Sequence, residues 1–197
     1  MIKSLFLLAT ILTLATVAFS QSEKEKLFAI TVKKIVEGFS KEDSSSLSKL
    51  IDSATGVYLL DYGNTYFNYE HVKTISFPTV GNWNMLFAQS KNIQCLALQY
   101  APLPHWIFQS ESWSKTGLFV DTTQTDHMLT DGCKFKNKYE PNSYPQKTVD
   151  FFWNLESVSR HIVLQNKDGK EIAFYLSYLH NKWYLTVVDK ATSNRSV

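Results

Sequence analysis

The final forty residues constrain the fold most tightly. Ile162 and Leu164 recur at a spacing of two, Ile172, Phe174, Leu176 and Tyr178 alternate strictly, and Trp183, Leu185 and Val187 complete the pattern. Lys167-Asp168-Gly169-Lys170 reads as a turn centred on Asp-Gly, and His180-Asn181 as a second tight connection. A period of two sends successive side chains to opposite faces of a strand. Three such runs joined by short turns therefore predict an antiparallel meander with one buried face. Parallel neighbours would need crossovers, for which these turns leave no room.

The other end of the chain has a helical period. Ser22 and Glu25 have the capping-box spacing, and Phe28, Val32, Ile35, Val36 and Phe39 form one apolar stripe that ends near Gly38. Ser40-Lys41-Glu42-Asp43 offers a second cap, followed by the shorter stripe Leu47, Leu50 and Ile51. Gly56 opens the β-rich run GVYLLDYG, with Thr65 to Tyr69 as its hairpin partner across Gly63-Asn64. Lys73 to Ser90 is a mixed connection with Trp83, Leu86 and Phe87 pointing inward. Ile93 to Tyr100, His105 to Ser110 and Gly117 to Val120 are further strand candidates, the first two separated by Pro102 and Pro104. Asp121 to Tyr144 is polar and the most loop-like stretch, with a short helix expected around Thr125 to Leu129. Val149, Phe152, Trp153 and Leu155 predict another helical turn or two ending near Ser157. Helices at one end and an antiparallel sheet at the other make an α+β fold: N-terminal helices packed on a curved, mostly antiparallel sheet that ends in a C-terminal β-meander.

The first twenty residues read as an address. Lys3 supplies a positive charge, Leu5 to Val17 is apolar apart from threonines, and Ala18-Phe19-Ser20 is a small-x-small exit. Residues 1–20 are thus expected to be a cleavable signal peptide cut after Ser20, and 21–197 a single secreted or periplasmic domain with no membrane span. With 20 basic and 18 acidic residues, the chain gives no electrostatic case for nucleic-acid binding. Export would place Cys95 and Cys133 in an oxidising space, where they form either a bridge or two separate thiols.

No motif for catalysis stands out. The five histidines, His71, His105, His127, His161 and His180, lack metal-ligand spacing, so no metal and no cofactor is expected. Asp121, Asp126, His127 and Asp131 form the densest acid/imidazole cluster and read as a solvated loop. The aromatic run is more suggestive. Tyr58, Tyr62, Tyr66, Phe67 and Tyr69 lie beside Asp61, Asn64 and His71, so one face of that hairpin either lines a cavity or fills a core. Trp106 and Trp113 are either a platform for a glycan or core anchors. The candidate ligand-binding residues are Tyr58, Asp61, Tyr66, His71, Trp106 and His161, and none is assigned a catalytic role.

FSKEDSSSLSKLID (Phe39 to Asp52), following an amphipathic helix, resembles the opening of NTF2-like (cystatin-like) domains, and GKEIAFYLSYLHNKWYLTVVDKA (Gly169 to Ala191) resembles their terminal hairpin. The GVYLLDYG run is similar to secreted members from Bacteroidota-type bacteria. The resemblance implies helices packed across a bent sheet around a cone-shaped cavity. The favoured expectation is a non-catalytic module that binds a small molecule, a glycan or an envelope protein, with a homodimer as one expected arrangement. The alternatives are an enzyme of the same fold with a pocket acid/base pair (isomerase, dehydratase or hydrolase type) drawn from residues such as Asp61, His71 or His161, and an accessory cell-envelope protein.

Overall fold

The stripe of Phe28, Val32, Ile35, Val36 and Phe39 folds as one helix, α1 (residues 23–40), and all five side chains are buried. The computed structural model describes residues 23–63, 66–77, 87, 90–107, 109–110, 112–121, 123, 127–167 and 170–190. The expected leader, Ser22 of the capping box, Trp83 and Leu86 lie outside these residues. Glu25 forms a bidentate ion pair with Arg160, at 2.6 and 2.7 Å. α1 runs two residues past Gly38, and the chain then turns through Glu42 in the left-handed region (φ 54°). Asp43 caps α2 (Ser44–Ser48), its carboxylate accepting the Ser46 N–H at 3.0 Å. A Cβ at position 38 would lie 2.7 Å from Leu47 Cδ2, so the missing side chain lets α2 fold against α1.

β1 (Val57–Gly63) and β2 (Tyr66–Val72) form the expected antiparallel hairpin, with β2 reaching three residues beyond Tyr69. In the middle of the chain two candidate strands shorten to β3 (Leu98–Tyr100) and β4 (Trp106–Ile107), β5 (Ser112–Trp113) is an unexpected partner of β4, and β6 (Gly117–Val120) forms as expected. The stretch expected to be loop-like instead carries a twelve-residue helix, α3 (Met128–Tyr139), followed by α4 (Gln146–Ser157). Lys134 and Lys138 of α3 are exposed, whereas Leu129, Thr130, Gly132 and Cys133 are buried. β7 (Ser159–Gln165), β8 (Glu171–Leu179) and β9 (Lys182–Asp189) are the predicted meander.

Seven strands make one open, curled sheet in the order β2-β1-β9-β8-β7-β6-β3, and β4 and β5 form a separate ribbon. Four of the six neighbouring pairs are antiparallel, while β1/β9 and β3/β6 are parallel. Both parallel pairs join strands remote in sequence, so the intervening chain supplies the crossover that the meander lacks. The fold is therefore α+β with a mostly antiparallel sheet.

One expectation needs correcting: the meander is buried on both faces. Glu171 to Ser177 of β8 are buried without a break. Ile172, Phe174 and Leu176 join α1, α2 and Trp183 in one core. Tyr175 joins Tyr58, Leu60, Leu129, Cys133, Val149, Phe152 and Leu155 in the other, beneath α3 and α4. Polar side chains on this second face satisfy one another. Ser159 Oγ donates to the Leu155 carbonyl at 2.7 Å and lies 2.6 Å from Ser177 Oγ, which lies 2.5 Å from Thr186 Oγ1.

The same layering decides the cysteines. Both are free thiols, Cys95 exposed beside Glu37 and Lys33 of α1, and Cys133 buried under α3. The sheet separates them, and packed layers stand ~10 Å apart, beyond the ~7 Å between Cα atoms that a bridge tolerates. Burial pushes the Cys133 thiol up to about 12, so it is no nucleophile at neutral pH. Ellman's reagent should therefore titrate both thiols in denaturant without reductant, but only Cys95 in the folded protein. Absence of thiol in denaturant would contradict this layering.

Candidate functional site

The β1–β2 register sets Tyr58 directly opposite His71, and their rings stack at 4.5 Å and 10°. Tyr69, opposite Leu60, faces the same way. α4 lies across this end of the hairpin. Its Phe152 meets Tyr58 and Tyr69 edge-on at 5.0 and 5.2 Å, and Phe151, 41% exposed, sits 6.1 Å from Tyr58. Lys147 and Thr148, one turn earlier, close the far wall. Together these seven residues line a groove of about 360 Å³ that is open to solvent.

The local backbone explains the position of His71. Its Nε2 lies 2.8 Å from the Thr55 carbonyl, which can only accept, so Nε2 carries a proton directed at that oxygen. Gly56 makes this possible. It adopts φ +71°, and a Cβ there would lie 2.6 Å from His71 Nε2. Burial raises the Tyr58 phenol above its usual range and pushes Tyr69 up to about 12, with Cys133 and neighbouring phenols adding to it. Both phenols are neutral hydrogen-bonding groups set in an apolar wall. Lys147 is exposed and has no ion-pair partner among the described residues. The lining carries five rings, one hydroxyl-bearing Thr and one cation, and no carboxylate.

Of the residues singled out from sequence, Tyr58 and His71 meet here. The Tyr66 side chain lies outside the described residues. Asp61 falls on the opposite face of β1, where Lys190 Nζ approaches to 3.2 Å. Trp106 packs edge-on against Trp113 at 5.8 Å, and Trp113 Nε1 donates to Glu171 at 2.8 Å. His161 is buried in β7, stacked on Tyr175 at 4.1 Å, with Nε2 3.3 Å from Asp189. Asp126 is outside the described residues, Asp121 accepts from Thr123, and Asp131 sits on α3 beside Lys134. The space beneath α1, where the resemblance implies a cavity, is filled by Phe28, Val32, Ile35, Phe39, Phe174 and Leu185.

Sequence reasoning missed Lys147, Thr148 and Phe151; their only signal was the i, i+4 spacing of 147/151 and 148/152. It also missed Glu156, which holds α3 in place. Its buried carboxylate accepts the Leu129 and Thr130 N–H groups at 2.7 and 3.1 Å and the Thr130 hydroxyl at 2.5 Å. It thereby satisfies amides that the N-cap, His127, leaves open. His127 stacks on Trp153 at 4.4 Å with Nδ1 4.0 Å from Glu156.

No protein-family model, curated protein or solved structure matches this chain.

Burial raises the Glu156 carboxyl above its ordinary value, and the hydrogen bonds from Thr130 and Leu129 only partly oppose this. A raised folded value means the folded state holds the proton more tightly than the unfolded one. The contribution of Glu156 is therefore fully present below the unfolded carboxyl value and declines as pH rises through the folded value. Urea unfolding should show the stability margin of wild type over Glu156→Gln shrinking from pH 4 to pH 7. A margin that grows over that window would mean the carboxyl is held low instead.

Proposed function

We propose that this chain is an exported, non-catalytic binding module of NTF2-like type, whose aromatic groove takes a small ligand with a flat ring face and an acidic substituent. The apolar leader ending in Ala18-Phe19-Ser20 supports export. The family reading draws on the Phe39–Asp52 and Gly169–Ala191 stretches, in keeping with helices on a curled sheet. Among the described residues, no helix is long and apolar enough to cross a membrane.

The groove carries the functional reading. Rings from Tyr58, Tyr69, His71, Phe151 and Phe152 converge on one volume rimmed by Lys147. Ring faces and edges bind planar or pyranose ligands by stacking, phenols and Thr148 supply hydrogen bonds, and an ammonium selects an anionic group. The lining holds no carboxylate to act as a general base or to orient an imidazole. Its one imidazole, His71, has Nε2 committed to the Thr55 carbonyl. The buried His161 and Asp189 pair does not line this volume.

Calorimetric titration with neutral oligosaccharides, uronic-acid oligosaccharides and aromatic carboxylates tests the reading. Acidic members of the panel should bind more tightly than neutral ones. Phe151→Ala, which removes an exposed wall of the groove, should weaken binding about tenfold, and Lys147→Ala should erase the preference for acids. A flat response across all three sets would overturn the proposal.

A further inference from the structure

On the other side of the sheet, α1 and α2 enclose a second cleft. Lys34, Glu37 and Gly38 of α1 and Lys41, the residue after it, form one ridge at the i, i+3, i+4, i+7 spacing that aligns side chains. Asp43, Ser46, Lys49 and Leu50 face them across a cavity of about 270 Å³. Gly38 creates the shape: with no side chain it lets Leu47 close in beneath, so the two helices touch at the floor and diverge above it.

The charges in this cleft are unequally committed. Glu37 pairs with Lys33 at 3.9 Å along α1. The Asp43 carboxylate accepts the Ser46 amide at 3.0 Å and the Ser46 hydroxyl at 2.6 Å. These hydrogen bonds hold its carboxyl below the usual range, so it stays ionised and engaged. Lys34, Lys41 and Lys49 have no ion pair among the described residues, although Asp43 senses Lys49 electrostatically. Lys34 lies on α1 a turn before the glycine gap, Lys41 just past the end of α1, and Lys49 at the C-cap of α2 opposite. The lining thus carries three exposed ammonium groups on long, adaptable stems against two carboxylates, a net charge of +1.

We propose that this cleft is a binding site for a small molecule carrying two or more oxyanion charges. Its volume suits a compact polyanion rather than a polymer. The site is distinct from the aromatic groove, shares no residue with it, and does not depend on the function proposed above.

The test uses pyrophosphate and citrate as probes, titrated calorimetrically into the folded protein at constant ionic strength set with chloride. The two probes separate phosphate from carboxylate chemistry, and binding of at least one with a Kd of about 1 mM or tighter is expected. The Lys34→Ala, Lys41→Ala, Lys49→Ala triple variant should weaken it about tenfold or more, and the corresponding triple Arg variant should retain it. A control triple at the exposed Lys134, Lys138 and Lys182 removes the same charge elsewhere and should leave binding unchanged. Phe151→Ala should also leave it unchanged, which separates failure of this site from failure of the groove. No binding of either probe, or equal losses in the two alanine triples, would overturn the proposal.

Discussion

β8 is covered on both faces, and the placement of every other layer follows from that. Its side chains alternate between two cores, one roofed by α1 and α2 and the other by α3 and α4. A strand in that position can afford polar groups only if they find partners within the protein. The hydroxyl chain Ser159–Ser177–Thr186 meets that requirement across three strands and ends on the last turn of α4. Thr186 is also the extra residue where the β8–β9 register slips, so the bulge and the hydroxyl chain are one feature. On the opposite face, Arg160 reaches from β7 to grip Glu25 and stacks over Phe28 and Trp183, fixing the start of α1 to the sheet.

Both clefts follow from this layering at places where the roof stops short. α4 packs Val149, Phe152 and Leu155 against Tyr175 of β8 and Val187 of β9, and at the hairpin it leaves Tyr69 half-buried and His71 exposed. α1 and α2 seal the core with their inward stripes, and their outward ridges separate above Gly38. Neither cleft interrupts a core.

The features legible in the sequence were those set by neighbours along the chain. The stripe of α1, the meander and the β1–β2 hairpin all depend on local period and turn chemistry, while the pairing of Tyr58 with His71 lies beyond the expected end of β2. What escaped depends on distant contacts. α3 starts at His127, which supplies no side-chain cap, and its first amides are satisfied by Glu156 from the next helix; to a local reading the segment is a polar loop. The second face of β8 displays Ala173, Tyr175 and Ser177, which resemble a wetted surface until the partner hydroxyls are placed beside them. Lys147 and Phe151 reach the groove through the docking of α4 on the hairpin, which no spacing within α4 encodes. Asp61 went the other way: close to Tyr58 in sequence, it lies one residue out of phase and so on the opposite face.

Two-sided burial of the meander is the central claim, and position 177 tests it most directly because alternation alone would read Ser177 as solvent-facing. With the serine buried in the hydroxyl chain beneath α4, urea unfolding of Ser177→Asp should show a loss of at least about 3 kcal/mol, or no folded state, since an unpaired charge would be buried there. A change within about 0.5 kcal/mol, the size expected of a surface substitution, would contradict it.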